Sequence, residues 1–268
     1  MTTGFVAMRI VISALHFDWH DIDHCVDRVE NEFGLDGVEL SFHESFSRPH
    51  CTREDLSVLQ GLKGGSDLVL SAHIWEDLAR MVPKDAERAL LGWLAVCEKT
   101  GTSGLVFHGG TYPDRREGIA GTRRVLQQVL PEFERSGVVL HIENHYAYEY
   151  EGCNELFSEP WEFREVFSLE SPFLRFCFDT GHGHMTRNWR LLLDDLGPHL
   201  AYVHLADNFG ANDDHCAYRE GTVPWDSIFD RLERIRFDGA FCVEFPVRED
   251  TGPFHACVQD LRNRWGGC

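Results

Sequence analysis

The chain has 268 residues, 43% of them hydrophobic and 26% charged, which is the make-up of a soluble globular protein with room for one large core. Its formal net charge is −19, so a polyanion such as nucleic acid is repelled at long range and is a poor expected partner. No run reaches the roughly 18 apolar residues of a membrane span, so no membrane partner is expected either.

The N-terminal stretch "GFVAMRIVISALHF" alternates, contains Arg9 and is followed by no small-residue cleavage site, which makes it a strand rather than a signal peptide. Eight short apolar runs then follow in order: 9–15, 37–42, 68–74, 104–110, 138–145, 174–182, 201–207 and 240–246. Their length and their β-branched and aromatic content suit buried parallel strands. Amphipathic stretches separate them. One runs from Pro83 to Gly101, one from Arg116 to Gly137 and one from Pro224 to Gly239, each expected to be closed by its glycine. Strand and helix alternating eight times, with no linker or charge block between, predict a single-domain (β/α)8 TIM barrel over residues 1–268. Nine cysteines are scattered, odd in number and without a CxxC pair, as expected of free thiols in a reducing cytoplasm.

The active site of such a barrel lies at the carboxyl ends of its strands. Those ends hold His73, His108, Glu143, then Asp179 and His182 in "FDTGH", then His204, and last Glu244; strand two carries Glu39. The loop after strand seven adds Asp213 and His215. Glu143 and Glu244 interrupt apolar runs, and a carboxylate buried without a partner is costly. Among Lys and Arg, only Arg175 belongs to strands three to eight, and it stands near the start of its strand, so a metal ion is the expected counter-charge. Imidazole with carboxylate suits Zn, Mn, Co or Fe. Aromatic residues gather after strands one and five: Phe17 and Trp19, then Tyr146, Tyr148 and Tyr150. They can wall a small-molecule pocket or simply pack the barrel mouth.

Together "IEN", "DTGH", "HLADN…DDH…REGTVPW" and "VEF" make the whole chain resemble the xylose isomerase-like barrels, which include sugar isomerases, sugar epimerases and endonuclease IV. What the resemblance implies depends on the branch. In the ketose 3-epimerase branch, one divalent ion is held by four ligands, which fall here on Glu143, Asp179, His204 and Glu244. Glu143 and Glu244 are then also the catalytic acid and base, while His182 and Arg219 hold substrate hydroxyls; from the aromatic clusters, not from the resemblance, Trp19 and Tyr146 are the further candidate substrate contacts. In the endonuclease IV branch, three zinc ions use His73, His108 and Glu143; Glu143 again with Asp179, His204 and Glu244; and His182, Asp213 and His215. Asp214 would point away. The resemblance thus implies a divalent metal, Zn or Mn, as one to three ions. The acidic balance and a total of three lysines, Lys63, Lys84 and Lys99, favour a small polyhydroxylated substrate over DNA. The expected activity is a metal-dependent sugar or sugar phosphate isomerase or epimerase working through a metal-stabilised enediolate. The alternatives are a zinc phosphodiesterase of the endonuclease IV type and a metal-binding barrel without catalysis. An oligomer is compatible with all three.

Overall fold

Each of the eight apolar runs forms a strand in the computed structural model, which describes residues 8–14, 28–42, 60 and 68–266. The strands are β1 (Arg9–Ser13), β2 (Gly37–Phe42), β3 (Val69–Ile74), β4 (Gly104–Phe107), β5 (Val139–Glu143), β6 (Leu174–Asp179), β7 (Leu200–Leu205) and β8 (Ala240–Val243). All pair in parallel, and the order β1-β8-β7-β6-β5-β4-β3-β2 closes on itself. The observed barrel is the expected (β/α)8 architecture.

Side chains alternate along a strand, so residues of one parity face the barrel axis. Val11, Val106, Cys177, Tyr202 and Cys242 form a buried cluster inside the ring. The other parity, including Leu40, Phe107, Ile142 and Phe178, joins the larger core shared with the helices. Two residues on from Val106, Cys177, Tyr202 and Cys242 stand His108, Asp179, His204 and Glu244. The same step takes Ser71 to His73 and His141 to Glu143, and both starting residues meet Tyr202, one by a 2.8 Å hydrogen bond and one by ring contact at 5.3 Å. Pleat and register therefore gather the chemistry-bearing residues into one inward-facing layer at the carboxyl rim. Gly104 makes room below it, since a Cβ there would lie 3.0 Å from His141 Nε2.

The described helices are α1 (Pro83–Thr100), α2 (Arg115–Ser136), α3 (Pro160–Phe167), α4 (Thr180–Thr186), α5 (Trp189–Leu196), α6 (Trp225–Arg234) and α7 (Gly252–Trp265). Pro83 sits in the first turn of α1 and Gly101 closes it at φ 76°. In α2 the Asp114 side chain accepts from Glu117 N at 2.9 Å, and Gly137 closes the helix at φ 71°. The third expected glycine stop is corrected: α6 ends at Arg234, and Arg236 takes the left-handed position at φ 57°. Gly239 instead lets the chain pass β7, where a Cβ would meet Ala201 O at 2.1 Å. The run 174–182 is also shorter as a strand, because the Asp179 side chain accepts from His182 N at 2.6 Å and starts α4.

A small antiparallel sheet beside the mouth, unexpected from the sequence pattern, pairs Cys153–Glu155 with both Thr111–Tyr112 and Glu149–Tyr150. Trp19 and Phe17 lie outside the described residues. The described cysteines Cys97, Cys153, Cys177, Cys216, Cys242 and Cys257 are free thiols. Among the described residues no helix is long and apolar enough to cross a membrane.

Candidate metal centre

Glu143, at the end of β5, is the hub of the carboxyl rim. Its Oε2 lies 3.0 Å from His73 Nε2, 3.3 Å from His108 Nε2 and 3.3 Å from His204 Nδ1. Its Oε1 lies 3.3 Å from His182 Nδ1. Glu244 Oε2 approaches the same His204 Nδ1 to 2.9 Å. Ligating atoms of Glu143, Asp179, His204 and Glu244 all fall within 4.8 Å of one another, as do those of His73, His108 and Glu143. Asp213 Oδ2 joins a further pair, 3.3 Å from His182 Nε2 and 3.3 Å from His215 Nε2.

The loop bearing Asp213 and His215 is shaped by the rest of its motif. Asp207 is fully buried, and its carboxylate accepts from Asn208 N at 2.9 Å, Gly221 N at 3.0 Å, Val223 N at 3.0 Å and Trp225 Nε1 at 2.8 Å. Gly221 has no alternative, since a Cβ would lie 2.4 Å from Asp207 Oδ1 and from Asn208 O. His215 is held at φ 44°, a strained value for a non-glycine residue, and its Nδ1–H donates to Glu244 O at 2.7 Å. Two more imidazoles are fixed the same way. His182 Nδ1–H donates to Asn144 O at 2.9 Å, and His204 Nε2–H donates to Glu39 Oε2 at 3.0 Å. Each leaves its second nitrogen aimed at carboxylates, the usual arrangement of a ligating histidine.

Burial opposes charge throughout the layer, and the local partners decide the outcome. Against burial, His204 and His108 hold the Glu143 carboxyl well below its ordinary range, and His204 brings Glu244 down to about 2. Burial pushes Asp179 up to about 7, with His182 offsetting part of the rise. Against burial, Asp213 and Glu244 raise His215 to about 10.

These residues fit a divalent cation. His108 Nε2, His204 Nδ1, Asp179 Oδ2 and Asp213 Oδ1 are buried with no hydrogen-bond partner in good geometry, a cost that a bound ion removes. The donors are imidazole nitrogens and carboxylate oxygens, the set that Zn and Mn accept. Above them lies a pocket of about 260 Å³. His108, Glu143, His182, Asp213, His215 and Glu244 reach into it, with Trp75, Glu76, Asp77, Thr111, His145, Tyr148 and Glu155 around them. None of its described lining residues is Lys or Arg.

A family model described as a xylose isomerase-like TIM barrel matches residues 28–262. The chain belongs to that family. Among solved structures, a D-tagatose 3-epimerase-like protein superposes on this family member with a TM-score of 0.81 at 18% identity, over 97% of this chain and 98% of its own. A D-psicose 3-epimerase crystallised in the presence of D-fructose gives 0.76 at 16% identity, over 97% and 100%. The IOLI protein with a zinc atom gives 0.74 at 14% identity, over 97% and 98%. At such identities the likeness is one of fold. The curated relatives match over short stretches of 78 and 82 residues, so the chain spans only 25% and 28% of their length.

Within this family barrel, all nine residues expected as ligands stand at one mouth: His73, His108, Glu143, Asp179, His182, His204, Asp213, His215 and Glu244. Asp214 is exposed, as expected. Arg219 is a correction. It stands at φ 65°, pairs with Asp226 at 2.6 Å and Asp260 at 3.4 Å, and lies over the Tyr218 ring, away from the pocket. Tyr146 stands one layer back, against the rings of His145 at 4.4 Å and His182 at 5.5 Å, and Tyr148 lines the pocket in its place. Trp75, Glu76 and Asp77 were missed although they directly follow β3, where the strand-end rule points. Glu155 was missed because nothing in its sequence neighbourhood marks it.

Proposed function

We propose that the chain is a divalent-metal-dependent isomerase or epimerase of a small polyhydroxylated substrate such as a ketose. The observation that carries this reading is the convergence of two buried glutamates, Glu143 and Glu244, on one imidazole nitrogen beneath a pocket of about 260 Å³. A divalent ion held by Glu143, Asp179, His204 and Glu244, Zn or Mn by its donors, would supply charge that stabilises the anion formed when a carbon beside a carbonyl loses its proton. The residues themselves do the proton work. Glu143 and Glu244 are both held in the carboxylate form, and they enter from β5 and from the end of β8. One takes a proton from one face of the substrate carbon; the other, protonated from water in the pocket, delivers a proton to the opposite face, and the first then gives its proton to water. Asp77, Glu155 and Tyr148 offer oxygens to substrate hydroxyls, and Trp75 shields that side from water. The printed names of the fold neighbours, sugar 3-epimerases and a zinc-bearing barrel, support the same reading. Free thiols at the described cysteines suit the cytoplasm.

The test is turnover of a panel of ketoses and ketose phosphates by protein loaded with Mn or Zn. Glu244→Gln is expected to lower metal content and to reduce turnover about 100-fold or more, the range for loss of a general acid or base. Undiminished metal and activity in that variant would overturn the assignment.

One observation favours a second reading. The His182–Asp213–His215 chain and the His73–His108–Glu143 group extend the donor set beyond what one ion needs, as a phosphodiesterase with several ions requires. Zn-dependent incision of a duplex with one abasic site, at low salt, would replace the isomerase reading by that one.

A further inference from the structure

We infer that Glu39 is a positioning residue for the metal centre: by accepting the Nε2 proton of His204 it orients the Nδ1 lone pair toward Glu143 and Glu244, at the expense of the metal-free barrel. The inference rests on the metal-dependent reading above.

Glu39 stands on β2 and His204 on β7, and both are fully buried inside the ring. Their contact is a 3.0 Å hydrogen bond from Nε2–H to Oε2. The other oxygen, Oε1, is buried with no hydrogen-bond partner among the described residues. Among the described residues, its remaining close neighbour of the ligand-bearing kind is the Cys242 thiol. A carboxyl group placed there with one partner and one idle oxygen is a poor stabiliser of a barrel core. The opposite end of the same imidazole explains it. His204 Nδ1 lies 2.9 Å from Glu244 and 3.3 Å from Glu143, so it can bind a cation only if its hydrogen is kept on Nε2. An acceptor at Nε2 selects that tautomer, fixes the ring plane and makes Nδ1 more basic.

A packing role and a positioning role predict opposite signs. Zn(II) affinity is measured by competition with a fluorescent chelator on the full chain and on Glu39→Gln and Glu39→Met. Melting is recorded in parallel with excess EDTA. The expected result is affinity lowered about 10–100-fold in both variants, with the EDTA melting temperature unchanged or higher. Two results overturn the inference: affinity equal to that of the unmodified chain in both variants, or a metal-free melting temperature that falls along with affinity in both. Glu39→Met keeps the test open should the Gln variant fail to fold. A chain that binds no Zn(II) even when unmodified would overturn this inference and the metal-dependent reading together, which separates that failure from the first two.

Discussion

Glu155 and Glu143 are the same residue type in one pocket, and their surroundings drive them in opposite directions. Glu143 meets four imidazoles and is held as a carboxylate. Glu155 is 3% exposed, and burial pushes it up to about 7, the Tyr148 hydrogen bond opposing this and Asp77 adding to it. Its folded value lies above its unfolded value, so its contribution to stability is complete below the unfolded range near 4.5 and is lost as pH rises through about 7. Glutamine does not titrate. Glu155→Gln is therefore expected to gain stability relative to the unmodified chain as pH rises from about 4.5 to about 7, on the order of 1–3 kcal/mol. Melting curves of both proteins in metal-free buffers check it, and a constant offset across that range would refute it.

At the scale of elements, the loop after β7 depends on Asp207 more than on Asp213 and His215. Asp207→Ala leaves buried N–H groups at Gly221, Val223 and Trp225 without an acceptor, each worth about 1–3 kcal/mol. It is expected to destabilise by about 3 kcal/mol or more, with amide exchange accelerating first across 208–223; protection unchanged there would show that Asp207 does not hold the loop. The end of α6 offers the reverse change. Arg236 occupies the place that glycine fills at Gly101 and Gly137, so Arg236→Gly is expected to stabilise by about 0.5–1 kcal/mol in denaturant titration. The legible part of the sequence was what repeats. Eight apolar runs announced eight strands, and acids or histidines breaking those runs at the rim announced the candidate ligands, because period two places them on one face. The three short strands at 111–112, 149–150 and 153–155 have no period to read and pair across the sequence, so Glu155 stayed hidden with them. Arg219 was misplaced because nearness to His215 in sequence says nothing of the left-handed turn that sends it to α6 and α7.

At the scale of the whole molecule, net charge and site charge have the same sign. The chain carries −19, and the described pocket lining adds Glu76, Asp77, Glu143, Glu155, Asp213 and Glu244 with no Lys or Arg. Such a field attracts cations to the mouth and repels polyanions from it. Within it, without metal, the carboxylates find their counter-charge in protons. Against burial, neighbouring carboxylates hold His73 and His182 above the ordinary imidazole range, the Cys177 sulfur followed by Glu244, Glu39 and Glu143 does so for His204, and carboxylates raise His215 to about 10. An imidazole must be neutral to ligate, so a metal ion entering this site has to displace those protons. Divalent metal binding is therefore expected to release protons at pH 7, and affinity is expected to rise as pH goes from about 6 to 8, because each step leaves fewer imidazoles to be deprotonated. Titration calorimetry with Zn(II) or Mn(II) in two buffers of different ionisation enthalpy measures the protons released. Equal heats in the two buffers would mean that the imidazoles are already neutral in the metal-free protein. The same proton exchange gives the expected stability pattern. Without metal, the raised imidazoles contribute stability that is complete below about pH 6.5 and declines as pH rises toward their folded values. With metal, the bound ion replaces the protons, so the increase in melting temperature on adding metal is expected to be larger at pH 8 than at pH 6.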